Sequence, residues 1–162
     1  LRLFVGEAQE QTHALQRVGI SEESDTVWVL ETNLDDCPPE VIGYAVEALF
    51  AAGALDVFSV PAQMKKNRPG VLLTVLADDA RRADLEAVLF RETATFGVRR
   101  HRAERAKLRR EAVTVDTPWG PVRAKKGWRD GFAVVTPEYD DCARVAREQG
   151  VPLRDVYDTV RR

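Results

Sequence analysis

Histidine and cysteine are scarce in this chain, with two of each in 162 residues. Cys37 and Cys142 stand about a hundred positions apart, which rules out a disulfide framework, and two histidines alone cannot hold a zinc ion. No run of about 18 apolar residues occurs, so a transmembrane helix is excluded. No signal peptide opens the chain, although it begins at Leu1, where a segment lying further upstream would not be seen. The P-loop pattern G-x-x-x-x-G-K-[ST] is missing, as are internal repeats and low-complexity tracts. At 44% apolar and 31% charged residues, the composition is that of a soluble globular protein with a core of its own. A reducing, cytoplasmic address is expected.

Net charge is nearly absent too, at −2. That total conceals a division. Residues 1–60 hold 11 acids and 2 bases, residues 61–126 hold 16 bases and 8 acids, and residues 127–162 hold 6 bases and 7 acids. An acidic first third followed by a basic middle points to an anionic ligand, a nucleotide or a nucleic acid.

What is present reads as alternating strands and helices. Val27-Trp28-Val29-Leu30 is a strand. Asp35-Asp36-Cys37-Pro38-Pro39 opens a helix in which an Asp serves as N-cap and a proline occupies the first turn. Val41, Ile42, Ala45, Ala48, Leu49 and Ala52 mark its apolar face, and Gly53 ends it. Leu55–Val60 alternates as a strand, Met64–Gly70 is a basic turn, and Val71–Leu76 is the next strand. Asp78 or Asp79 caps a second helix with Ala83, Ala87, Val88, Leu89 and Phe90 as its apolar positions. A basic strand begins near Val98. Residues 111–116 and 121–126 form a hairpin around Trp119-Gly120, followed by a strand over Phe132–Val135 and helices starting near Pro137 and Pro152.

The order β-α-β-β-α-β predicts a ferredoxin-like α+β domain, the split βαβ arrangement, with an antiparallel sheet in the order 4-1-3-2. A C-terminal β-hairpin with short helices extends it. The expected divisions are an N-terminal linker or remnant of a larger protein over 1–26, the ferredoxin-like domain over 27–106 and a smaller α+β subdomain over 107–162. In this topology three features share one end of the sheet: Asp35-Asp36 leaving strand one, Lys65-Lys66-Asn67-Arg68 between strands two and three, and Thr95–Arg100 entering strand four. Carboxylates, cations and the positive end of a helix would meet there, a combination suited to a metal–polyphosphate ligand.

Other residue types carry less. Seven of the twelve residues from Arg99 to Arg110 are basic, but in a strand alternate residues face opposite sides, so they cannot all serve one ligand. Aromatics are not interleaved with them, a weak pattern for nucleic acid. His101 reads as a surface residue. Cys37 has no histidine near it in sequence, and Cys142 reads as a packing residue. Glu138, Asp140 and Asp141 read as helix-start acids, with a second cation site as the lesser alternative.

Several of these segments resemble the nickel-pincer cofactor nickel insertases, also called pyridinium-3,5-bisthiocarboxylic acid mononucleotide nickel insertases, which mature the cofactor of lactate racemase. The resemblance lies in Glu31-Thr32-Asn33-Leu34-Asp35-Asp36, Gly53-Ala54-Leu55-Asp56-Val57, and Gln63-Met64-Lys65-Lys66-Asn67-Arg68-Pro69-Gly70. It continues in Phe90-Arg91-Glu92-Thr93 through Gly97-Val98-Arg99-Arg100, and in Pro137-Glu138-Tyr139-Asp140-Asp141-Cys142. It runs from about residue 27 to the C-terminus and covers the family's C-terminal part. Full-length members carry an N-terminal region and a histidine-rich, nickel-associated segment that this stretch lacks.

The resemblance implies a CTP-dependent cyclometallase of the lyase class. It would bind CTP with Mn²⁺ or Mg²⁺, hydrolyse it to CMP and diphosphate, and insert nickel between two sulfurs and a ring carbon of the pincer nucleotide. Matching motifs and topology then assign Lys65, Lys66, Arg68, Arg99 and Arg100 to the phosphates. Asp35 and Asp36, with Glu92 as a further acidic ligand, go to the metal. The partners implied are CTP, the pincer mononucleotide, the N-terminal region of the same protein and further copies in a homo-oligomer, with neither membrane nor nucleic acid. The competing expectation is a ferredoxin-like module that binds RNA or a small allosteric ligand. Against RNA, Trp28 and Phe58 sit in apolar surroundings and are expected in the core rather than on a sheet face.

Overall fold

The computed structural model describes residues 25–129 and 132–162; most of the expected N-terminal linker lies outside them. The described chain divides into two compact units, 25–105 and 106–162.

In the first unit, β1 (Asp25–Leu34), α1 (Pro39–Ala51), β2 (Asp56–Met64), β3 (Arg68–Ala77), α2 (Arg82–Glu92) and β4 (Arg99–Arg105) follow one another. The strands lie in the order β2-β3-β1-β4, every pair antiparallel. This is the expected 4-1-3-2 sheet. Alternation in β1 drives the packing. Leu30 and Leu34 are buried on one face beside Val75 and Leu73 of β3, and Leu49 of α1 and Leu85, Val88 and Leu89 of α2 close over them. Each fully buried leucine contributes about 1.5–3 kcal/mol.

The helix ends correct two expectations. Neither Asp35 nor Asp36 caps α1. Pro38, extended at φ −59° and ψ 143°, precedes Pro39 at the first helical position, and no side chain caps the helix. A cap must sit directly before the first turn, and two prolines place both aspartates too far upstream. At the other end Gly53, at φ 95°, lets Gly53 N donate to Phe50 O and Ala54 N to Leu49 O, each at 3.0 Å. That paired closure is the glycine stop expected of it.

Helix α2 starts at Arg82 rather than beside Asp78, whose Oδ1 accepts from Arg81 N at 2.7 Å and shapes the turn before the helix. Phe90, expected on the apolar face, is half exposed, and Leu85 takes that role. Phe58 is likewise exposed, at 45%, on the sheet face opposite the helices rather than in the core.

The second unit holds β5 (Arg110–Thr117), β6 (Gly120–Arg129), β7 (Phe132–Pro137), α3 (Tyr139–Gln149) and α4 (Leu153–Arg161). The expected hairpin is β5–β6, and β7 extends it to a three-stranded sheet in the order β5-β6-β7. Val122, Ala124, Cys142, Val145, Val156 and Val160 form its core. The pairing of β6 with β7 stops at Ala124–Pro137. One residue further, Arg123 N finds Asp141 Oδ2 at 2.9 Å instead, and the Arg123 guanidinium closes on both oxygens of the same carboxylate. Asp141 therefore continues the ladder where the strand has ended. These hydrogen bonds from Arg123 hold its carboxyl well below the usual carboxylate range.

Candidate functional site

Both β1 and β2 end, and both β3 and β4 begin, at one end of the first sheet, as the pairs Leu34–Val71, Met64–Arg68 and Glu31–Arg99 require. Strands β2 and β3 run up to a three-residue turn, Lys65–Asn67, so the basic turn is a tight hairpin tip. Lys65 and Lys66 are exposed and make no ion pair among the described residues. Lys66 and Asn67 both lie in the left-handed region, at φ 62° and 58°. Asparagine tolerates that conformation, whereas for lysine it costs roughly 1–2 kcal/mol.

Arg68 reaches back across the sheet end, its Nη1 3.3 Å from Asp35 Oδ2. The carboxylate is largely covered at 17% exposure while the guanidinium is 54% exposed. A pair this open adds about 0–1 kcal/mol, so its consequence is orientation. Gly70 allows the close approach that brings these segments together: a Cβ there would lie 2.6 Å from Met64 Sδ and 2.7 Å from Leu34 O. Asp35 also lines a cleft of about 650 Å³, with Cys37, Ile42, Val46, Ser59 and Val71 among its walls. Ile42, expected on the apolar face of the helix, packs against the core and also lines this cleft. Ile42 and Val46, spaced i,i+4, are the apolar flank that signals it.

The remaining candidates divide. Glu31 Oε2 lies 3.7 Å from Arg99 Nε on the face away from the helices. Arg100 points to the other face and donates to both oxygens of Glu86 at 3.0 and 3.1 Å, where Arg82 also binds. Burial alone would raise the Glu86 pKa, but the hydrogen bonds from Arg100 and Arg82 outweigh it and hold Glu86 below the ordinary range. Arg99 and Arg100 thus diverge as alternation requires. Glu92 is engaged by its neighbour Arg91 at 2.5 Å, and Asp36 is exposed. Thr32 donates to Gly97 O at 3.1 Å, tying the loop before β4 to β1 and leaving Phe96 fully exposed beside this sheet end.

Further along the basic run, Arg102 lies over the Trp28 ring and pairs with Asp79, while Arg105 pairs with Asp25. The hydrogen bond from Trp28 Nε1, with support from Arg102, lowers the Asp79 pKa. Much of this run is therefore committed to packing. Cys142 is buried and its thiol is pushed up by that burial, as suits a packing residue. Glu138 pairs with Lys125 and Asp141 with Arg123, so these acids hold the second unit together.

Among the described residues no three His, Cys, Asp or Glu side chains gather closely enough to hold a metal ion. Asp35 and exposed Asp36 are carboxylates that could serve a hard cation of the kind that takes one or two carboxylates and completes its shell from substrate and water. A resident metal held by protein alone would need more.

Comparison with known proteins agrees with the fold. A family model described as nickel insertion protein matches residues 1–157. The chain is 42% identical over 160 residues to the pyridinium-3,5-bisthiocarboxylic acid mononucleotide nickel insertion protein of Acetivibrio thermocellus, covering 99% of this chain and 37% of that one. Among solved structures it is similar to the apo C-terminal domain of a cyclometallase involved in the synthesis of the NPN cofactor of lactate racemase. That match has TM-score 0.74 and 40% identity, covering 85% of this chain and 95% of that domain. A protein of Methanopyrus kandleri matches at TM-score 0.56 and 32% identity, with 86% and 89% coverage. The chain spans between 34% and 39% of the length of eight curated relatives it matches.

Proposed function

The chain belongs to the nickel insertion protein family, and from that premise we propose that its first unit is the site where CTP and a divalent cation bind for nickel insertion. The nickel would go into pyridinium-3,5-bisthiocarboxylic acid mononucleotide, with this chain as the C-terminal part of the working protein. The observation that carries the proposal is the sheet end itself. An Asp35–Arg68 pair at 3.3 Å and two exposed lysines on a tight turn gather at this end, where Asp35 also lines a cleft with apolar walls.

The division of labour follows from the chemistry. Lys65 and Lys66 supply point charges to phosphate oxygens, and Arg68 supplies a two-pronged donor. Asp35, with Asp36 adjacent, would hold the Mn²⁺ or Mg²⁺ that accompanies the triphosphate. That cation would supply charge neutralisation on the phosphate oxygens, and hydrolysis of CTP by water at the α-phosphorus would give CMP and diphosphate. Ile42 and Val46 give the base and ribose an apolar wall. Arg99 belongs to the rim beside Glu31. Arg100 and Glu92, each engaged by another side chain, act through their partners. Nickel is cargo here, and the chemistry of its insertion draws on the rest of the protein.

Further copies of the chain are also part of the proposal. Strands β2 and β4 are the outer strands of the first sheet, and Phe58 and Val60 are exposed on its uncovered face. Among the described residues no helix is long and apolar enough to cross a membrane.

Calorimetry with CTP, ATP and a short RNA, each with and without Mn²⁺, tests the reading. CTP-selective binding that needs the metal is expected, and Lys65→Ala and Arg68→Ala each weaken it at least tenfold with the melting temperature unchanged. RNA binding indifferent to CTP and metal overturns the proposal in favour of a nucleic-acid module.

A further inference from the structure

The second unit has a concave surface that the CTP reading does not use. One face of β5–β6–β7 is covered by its own core, and the other is exposed. On that exposed face the register sets Arg110 opposite Gly127 and Val134, and Ala112 opposite Lys125 and Thr136. Small side chains in the middle and long cations around them leave a hollow of about 380 Å³, within the range of small-ligand clefts. Lys107, Arg110 and Lys125 line it, Leu108, Trp128 and Val134 give it apolar wall, and no carboxylate is among its described lining residues. Lys125 is held at the rim by Glu138 at 2.9 Å, whereas Arg110 makes no ion pair among the described residues.

We propose that this hollow binds the pyridinium mononucleotide substrate through its anionic groups. The inference rests on the substrate class given under the proposed function and adds where that substrate sits. A mononucleotide bearing two thiocarboxylates carries one phosphate of about −1.5 to −2 charge at neutral pH and two further negative groups around a ring. Arg110, which no described carboxylate engages, with Lys125 at the rim and apolar wall beside it, suits an anionic group carried on a ring. Metal-bound CTP is matched poorly, because the described lining has no carboxylate to hold a divalent cation. Gly127 keeps the floor open. A Cβ there would meet only Arg109 O at 3.7 Å, an ordinary contact, so a larger residue fills the hollow without disturbing the strand.

The probe is pyridinium-3,5-dicarboxylic acid mononucleotide, the oxygen analogue of the substrate, titrated into the full chain by calorimetry, with Mn²⁺–CTP titrated in parallel. The analogue is expected to bind without added metal. Arg110→Ala and Gly127→Leu should each weaken it at least tenfold while leaving Mn²⁺–CTP affinity and melting temperature unchanged. Lys65→Ala should do the reverse, weakening CTP alone. Absence of analogue binding, or binding that neither second-unit variant alters, overturns the assignment. So does a loss of CTP rather than analogue binding in Arg110→Ala. Failure of CTP to bind the unaltered chain would instead count against the CTP reading, and the analogue titration would still decide this one.

Discussion

At the scale of single residues, strain and charge mark the places where function outweighs stability. Lys66 at φ 62° is a lysine in a backbone conformation that glycine adopts freely. Lys66→Gly should leave the melting temperature equal or higher while lowering affinity for Mn²⁺–CTP several-fold, read by thermal unfolding and calorimetry on the same sample. Asp141 is the opposite kind of residue, buried and purely structural. Its pKa is depressed in the folded chain, so its contribution is present above the unfolded carboxylate pKa of about 3.9 and is lost as pH falls through the folded value. Asp141→Asn should therefore lower the melting temperature at pH 7 and flatten its fall on acidification below about pH 4, measured by circular dichroism. The sequence made Asp141 visible as an acid near a helix start. Its true partner, the Arg123 backbone left over where β7 ends, depends on strand pairing that no local pattern displays.

At the scale of elements, the strands and helices of the first unit were legible because their periodicities differ: alternation through Val27–Leu34 and i,i+4 spacing through Ala45 and Leu49. The helix ends were less legible. Pro38-Pro39 set the start of α1 by their own backbone geometry, and no count of nearby aspartates reveals that. Phe90 and Phe58 show the same limit, since an aromatic in an apolar stretch still faces whichever side the register dictates. The β2–β3 hairpin depends on Gly70. Gly70→Ala would drive a methyl group against Leu34 O, a backbone atom that cannot yield like a flexible side chain, at a cost of about 1–3 kcal/mol. Chemical denaturation should show that loss, together with weaker Mn²⁺–CTP binding, because the same contact positions Asp35 beside the hairpin.

At the scale of the whole molecule, each unit has its own core, one around Leu30, Leu49 and Leu73 and the other around Val122, Val145 and Val156. Leu49→Ala, expected to cost about 2–5 kcal/mol, should speed hydrogen exchange throughout β1–β4 far more than in β5–β7. The near-zero net charge is likewise a sum of distinct local balances. Asp35–Arg68, Glu86–Arg100 and Asp79–Arg102 cancel one another in place, while Lys65 and Lys66 are left over at the sheet end. That convergence followed from topology, which the element order revealed. Which cations stayed unpaired did not, because pairing depends on the register and rotamers of the folded chain. The most direct test of the central claim is paramagnetic broadening of backbone amide signals by Mn²⁺ in the presence of CTP. Broadening centred on Leu34–Cys37 and Lys65–Gly70, and abolished by Arg68→Ala, is the predicted result; broadening centred on β5–β7, or indifferent to CTP, would contradict it.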